Sequence, residues 1–209
     1  MQKQTLYEIT PDKFLDEDER RKLLKVCKER SELDLMKGRK TWPVRYMLID
    51  LALFSGLRVM EMAALKIGDI NLKAKDPYLI VRHGKRNKVR TVYIDKELQK
   101  HLKNFISYKQ KTLGQSIESD TPLFTGRNGK QSPTITLMKS WDKAIETALL
   151  PAKYTIHSSR HTFATFLFRD TRNLKYVQKQ LGHANIAMTA NYADIIPEDN
   201  GKLANMIKR

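Results

Sequence analysis

One cysteine in 209 residues, Cys27, excludes an internal disulfide and leaves no thiol cluster to hold zinc. The chain fits a reducing compartment and must hold its fold by burial. Glycine and proline are sparse, at nine and seven, and no repeat, low-complexity run or linker divides the sequence. Long apolar runs are also missing. The most apolar stretch, residues 46–57, is interrupted by Asp50 and falls well short of the roughly 20 residues that cross a bilayer. The first residues carry no signal-peptide pattern, so a cytoplasmic protein with no membrane role is expected. Acidic residues are the other shortage: 23 Asp and Glu face 39 Lys and Arg, a net charge of +16. Such an excess repels itself in a compact state, and a polyanion relieves it through counterion release. Nucleic acid is the leading partner class. A solubilising surface and an anionic membrane are the alternatives.

What remains is 41% apolar and 30% charged, the composition of a globular domain with a core of its own. Thr10-Pro11 and Asp16 offer helix-start chemistry, and Leu15, Leu23, Leu24 and Val26 among charges predict an amphipathic helix to about residue 29. Residues 31–40 are polar and predict a loop. Residues 44–54 are apolar nearly all round, which predicts a buried helix broken at Gly56, with a short helix over 58–65 after it. Between residues 70 and 94 the pattern turns to β-branched and aromatic residues around His83-Gly84-Lys85-Arg86-Asn87, a small antiparallel sheet with a basic hairpin. Asp95 can cap a helix to about 111 and Ser132-Pro133 can open one to about 149. Three more helices are expected over 157–169, 174–181 and 186–193, with a weaker tail from Pro197. The fold class is α+β, mainly α-helical, with a small antiparallel sheet on one edge.

The last third holds His157-Ser158-Ser159-Arg160-His161, then Leu181-Gly182-His183, then Tyr192. Positions three apart share a helix face, so His157 and Arg160 can present an imidazole and a guanidinium to one phosphate. Taken singly, each reads more readily as packing or chance than as chemistry. Together with two earlier segments they resemble the tyrosine recombinases, the family of lambda-type integrases and the bacterial enzymes that resolve chromosome dimers. The first segment is Ser55-Gly56-Leu57-Arg58-Val59-Met60-Glu61, with an arginine and, three residues on, a carboxylate. The second is Gly84-Lys85-Arg86-Asn87-Lys88, the hairpin lysine. Five motifs in register from Ser55 to Tyr192 carry the resemblance.

The resemblance implies a tyrosine-recombinase catalytic domain over 1–209, with a core over about 10–193, a tail over 194–209, and no N-terminal core-binding domain in this chain. That leaves either a fragment or a naturally short recombinase. It implies site-specific cleavage and rejoining of DNA through a covalent 3′-phosphotyrosine, with integration, excision, inversion or resolution as outcomes. Tyr192 is then the nucleophile, and Arg58 and Arg160 are fork-shaped donors to the scissile phosphate. His157 helps remove the tyrosine proton, His183 donates to the phosphate, and Lys85, with Lys88 as the alternative, protonates the departing 5′-oxygen. Glu61 is a supporting organiser of an arginine. Arg82, Arg86, Lys88 and Arg90 are expected to hold DNA backbone phosphates. His161, pointing to another helix face than Arg160, is expected to be structural, as are Trp42 and Trp141. No cofactor or metal is expected, because the arginines do what Mg²⁺ does in many nucleases. The implied partner is double-stranded DNA carrying recombination sites, with four protomers assembled on it and a monomer or weak oligomer without it. The host is bacterial, phage or mobile-element. Leu203, Met206 and Ile207 in the tail are spaced to dock on a neighbouring protomer. A type IB topoisomerase-like enzyme would share the chemistry without strand exchange, and a silent DNA-binding regulator would share the fold without needing the nucleophile.

Overall fold

The computed structural model describes residues 10–82, 89–126 and 129–192. Helix α1 (Glu17–Met36) opens on a reciprocal cap: the Glu19 amide donates to the Asp16 carboxylate at 2.8 Å, and the Asp16 amide donates to Glu19 at 2.9 Å. The helix runs on to Met36, through the first part of the segment 31–40 expected to be a loop. Cys27, Ser31 and Asp34 recur at helical spacing and are buried, so the polar residues there face inward. The Asp34 carboxylate accepts from the Trp42 amide at 3.0 Å, tying the end of α1 to the start of α2 (Thr41–Ser55). Helix α2 is the axis of the core, with Met47, Leu48, Ile49, Leu51, Ala52 and Leu53 all buried. It ends at Gly56, whose φ of +62° is left-handed.

Helix α3 (Val59–Ala64) follows at once. Strands β1 (Ile70–Asn71), β2 (Tyr78–Val81) and β3 (Arg90–Tyr93) form an antiparallel sheet in that order, with Leu79 opposite Val92 and Val81 opposite Arg90. Leu79, Val81 and Val92 face the core, as the period of two requires. The Asp95 carboxylate caps α4 (Lys96–Lys111), accepting from the Leu98 amide at 2.8 Å. In α5 (Thr134–Thr147) the Trp141 indole is fully buried and donates to the Tyr154 carbonyl at 2.8 Å, as a packing residue does. Trp42 is half-buried beneath the Arg45 guanidinium, 4.4 Å from its ring. The chain then forms α6 (Ile156–Thr171), α7 (Leu174–Leu181) and α8 (Ala187–Ala190). The helix expected over 186–193 is a single turn among the described residues. The tail, with Leu203, Met206 and Ile207, lies outside them. No described helix is long and apolar enough to cross a membrane.

Most buried side chains belong to one cluster around α2. A second cluster joins Ala164 and Phe168 of α6, Val177 and Leu181 of α7, and Tyr192. Helix α6 serves both, so its first two turns lie where helix ends converge.

Candidate active site

Gly56 is where that convergence is tightest. A Cβ there would stand 2.4 Å from Cδ1 of Phe163 on α6 and 3.1 Å from Cδ2 of Leu181 on α7, and a side chain would also be strained at positive φ. The close approach brings the C-terminal ends of α2 and α7 to one point. Arg160, 7% exposed, lies between them. Its guanidinium donates to the Gly56 carbonyl at 2.5 Å and to the Leu181 carbonyl at 2.8 Å. Carbonyls at helix C-termini carry the negative end of the helix dipole, which explains how the cation is tolerated indoors. Burial, then the like charge of Arg58, pulls its pKa down to about 9, with Glu61 and Tyr192 acting in the opposite sense. Arg160 is charged at neutral pH, and only two of a guanidinium's five N–H donors go to those carbonyls.

Arg58 is the residue before α3. Its amide donates to the Glu61 carboxylate at 2.9 Å, and its guanidinium donates to the same group at 3.1 Å. Its side chain is 30% exposed, the most open of the arginines around Glu61. Glu61 is buried and also receives a two-pronged contact from Arg90, with both nitrogens at 2.8 Å. Burial works against ionisation of Glu61. The hydrogen bonds and charge of Arg90, aided by the Arg58 amide and the charge of Arg160, more than offset it and hold the carboxyl below the usual range. Two guanidinium groups thus contact one carboxylate and a third acts on it by charge, leaving a positive remainder that favours an anion.

Arg90 does not sit as the sequence led us to expect. With its side chain 12% exposed and both terminal nitrogens on Glu61, it is turned inward onto α3. Its Nε donates to the Gln180 carbonyl at 3.3 Å, and its Cδ would lie 2.6 Å from a Cβ at Gly182. The reason is register: as the partner of buried Val81 at the start of β3, Arg90 faces α7 and α3. It binds strand, α3 and α7 into one unit. Arg82 is half exposed and anchored by its Nε to buried Asp69 at 2.5 Å. Lys85, Arg86 and Lys88 lie outside the described residues.

His183 follows the left-handed Gly182 that ends α7. Its Nδ1 is 3.1 Å from the Thr189 hydroxyl, and its pKa is depressed to about 3 by burial and then by Arg160, Arg58, His161 and Arg90. It is neutral at pH 7, and one ring nitrogen can donate.

Tyr192, 2% exposed, is packed in the second cluster, close enough to Arg160 for their charges to interact. Its phenolic oxygen is 3.0 Å from Nδ1 of His161, with ring centroids 6.0 Å apart. His157, expected to serve the phenol, is exposed on the first turn of α6. The imidazole at the phenol is that of His161, expected to be merely structural. The sequence held the signal: residues 157 and 161 are four apart and share a helix face. The pKa of His161 is pulled down to about 4, first by burial and then by Arg160, His157 and Lys13. The described residues therefore bring Arg58, Glu61, His183 and Tyr192 within electrostatic range of Arg160, with His157 exposed near His161. They add Arg90 and His161 to the set.

Tyrosine recombinase XerH of Campylobacter jejuni is 34% identical over 163 residues, which is 75% of this chain and 42% of that protein. A tyrosine recombinase of Thermosipho africanus is 30% identical over 190 residues, 90% of this chain and 59% of that one. The crystal structure of XerA recombinase matches with a TM-score of 0.71 at 25% identity, covering 94% of this chain and 66% of the other. That of XerH site-specific recombinase bound to its difH substrate, a pre-cleavage complex, matches with a TM-score of 0.72 at 25% identity, covering 92% and 52%. The chain spans about half the length of the curated relatives it matches. The sequence model of the phage integrase family matches residues 13–198, and the chain belongs to that family.

Proposed function

We propose that this chain is the catalytic domain of a site-specific DNA recombinase, acting in the cytoplasm on duplex DNA and assembling as four protomers on paired sites. The observation that carries the reading is that Arg58, His183 and Tyr192 all lie within electrostatic range of the buried Arg160. A phosphodiester resists attack because its oxygens are anionic and an alkoxide leaves poorly, so a nucleophile, charge neutralisation and a proton donor are all needed. Arg58 and Arg160 neutralise the non-bridging oxygens, and His183 adds a hydrogen bond. A histidine of α6 takes the Tyr192 proton as the phenolic oxygen attacks phosphorus, the P–O5′ bond breaks, and the 5′-oxygen takes a proton from Lys85 or Lys88. The resulting 3′-phosphotyrosine is reversed by the 5′-hydroxyl of the same or a partner strand. Tyr192 is covered, so its phenol has to shift toward the arginines to reach phosphorus.

The test uses a library of nicked duplexes with randomised sequence around the nick. After denaturation, the wild-type chain should retain covalently attached DNA, and the recovered strands should share a site. Tyr192→Phe should bind the recovered duplex and form no adduct. An adduct on Tyr192→Phe, or none on the wild type, refutes the assignment. XerH, by the description of its complex, is bound to difH, a natural first duplex to compare with the recovered one.

A further inference from the structure

We infer that Arg90 is a positioning residue of the cleft: by occupying Glu61 with both arms of its guanidinium, it keeps that carboxylate from capturing Arg58 and leaves Arg58 free to hold the scissile phosphate. The inference rests on the proposed role of Arg58. Three observations carry it. Nη1 and Nη2 of Arg90 donate to Oε1 and Oε2 of Glu61, each at 2.8 Å. Arg58 offers the same carboxylate its amide at 2.9 Å and one guanidinium nitrogen at 3.1 Å. A carboxylate accepts about four hydrogen bonds, so Glu61 is filled. Arg58 is held by a single nitrogen, and among the described residues its side chain makes no other hydrogen bond. Arg90, by contrast, is committed to the protein. Its side chain is 12% exposed against 30% for Arg58, its Nε donates to the Gln180 carbonyl at 3.3 Å, and its Cδ is seated against Gly182.

The third observation is the balance of charge. Arg58, Arg90 and Arg160 stand against the one carboxylate of Glu61, three positive charges less one negative, so two positive charges remain to attract an anion. Without Arg90, two acceptor positions on Glu61 open. The Arg58 guanidinium, three residues away on the same turn, can then close on the carboxylate as a two-pronged pair. The remainder falls to one charge, and the donor that the phosphate needs is turned inward. Arg90 thus acts on the phosphate through Glu61 and Arg58, without touching it.

The test compares wild type, Arg90→Gln, Glu61→Gln and the double variant that carries both, in two assays. The first needs no DNA: the rise in melting temperature on adding sulfate reads the anion site alone. The remainder is two positive charges in the wild type and the double variant, three in Glu61→Gln and one in Arg90→Gln. The rise should therefore be largest in Glu61→Gln, alike in the wild type and the double variant, and smallest in Arg90→Gln. A merely structural Arg90 would lower the melting temperature of its variants and leave the sulfate increment as it is in the wild type. The second assay follows adduct rate on the duplex recovered with the wild type. Losing a phosphate donor outright costs about 10²- to 10³-fold, so Arg90→Gln, which misdirects Arg58 without removing it, should lose about ten- to a hundred-fold. The double variant leaves no carboxylate to capture Arg58, and should recover most of that loss although it lacks two native side chains. Should Arg90→Gln fail to fold, Arg90→Lys takes its place: one ammonium cannot span both oxygens, so it should be slower than the wild type and quickened by adding Glu61→Gln. A double variant no faster than the single, or an Arg90→Gln whose sulfate increment equals or exceeds that of the wild type, overturns the role of Arg90. A wild type that forms no adduct overturns the proposed function instead, and the sulfate ranking still decides whether Arg90 holds Glu61 off Arg58.

Discussion

Replacing Glu61 by Gln removes one negative charge and almost no volume, so its effect isolates the electrostatics of the cleft. Arg90 makes its two 2.8 Å contacts to this carboxylate, Arg58 makes two more, and Arg160 is within electrostatic range. Removing one partner of a buried ion pair destabilises by about 3–5 kcal/mol, because the other charge is left uncompensated. Here an amide oxygen can still accept from one guanidinium, which puts the expectation near the lower end, about 3 kcal/mol. At roughly 2–4 °C per kcal/mol for a chain of this size, the melting temperature should fall by about 6–12 °C. The sign with pH is also set. The Glu61 pKa is depressed in the folded state, so its contribution is present above the unfolded value of about 4.5 and lost as pH falls through the folded one. Wild type and variant should converge in acid. Because the variant cleft holds guanidinium groups with no carboxylate between them, sulfate in the tens of millimolar should raise its melting temperature more than that of the wild type. Scanning calorimetry from pH 3 to 8, with and without sulfate, measures all three effects. A shift under 2 °C at pH 7, or equal stabilisation of both proteins by sulfate, would refute the picture of an anion site held open by Glu61.

Other perturbations probe the same frame. Gly56→Ala, at φ +62° and 2.4 Å from Phe163, should cost about 2–4 kcal/mol in urea unfolding. It should also lower adduct yield by moving the carbonyl that holds Arg160. Lys109 is fully buried, donating to Gln115 at 2.8 Å and Thr125 at 3.2 Å, and burial lowers its pKa to about 8. The unfolded chain therefore binds more protons between pH 8 and about 10.5. Wild-type stability relative to Lys109→Met should rise across that window by about 3 kcal/mol, and a flat difference would contradict the burial argument. His161 and His183, with folded values of about 4 and about 3, contribute stability above about pH 6.5 that is lost as pH falls through those values. His161→Asn should flatten the acid limb of a stability-against-pH curve by up to about 3 kcal/mol.

The elements that were legible in the sequence are those whose signals are local. The buried helix α2, the caps at Asp16 and Asp95, the left-handed glycines at 56 and 182 and the two longer strands all follow from periodicity and short-range chemistry. The end of α1 was not. Ser31 and Asp34 read as loop residues because polar side chains usually face water, yet here Asp34 caps the next helix from inside. Only the position of α2 reveals that, and the position of α2 is a tertiary fact.

The site divides along the same line. Arg58, Glu61, Arg160, His183 and Tyr192 stand in recognisable motifs, so their convergence could be expected before any coordinates. Arg90 and His161 could not be sorted by composition, because a hairpin arginine faces outward or inward according to strand register, and a histidine beside an arginine is common in any helix. Register turns Arg90 onto Glu61, and the path of the chain after α7 lays Tyr192 against His161. Both residues act by joining segments distant in sequence, β3 to α3 and α6 to the turn after α8. The arginines are therefore preassembled at the ends of packed helices, which resist displacement. Tyr192 lies on the turn after α8, buried against α6 and α7. Electrostatic preorganisation needs rigid donors, whereas in the proposed reaction the covered Tyr192 phenol has to shift to reach phosphorus. Stiffening that turn should slow cleavage even as it stabilises the fold.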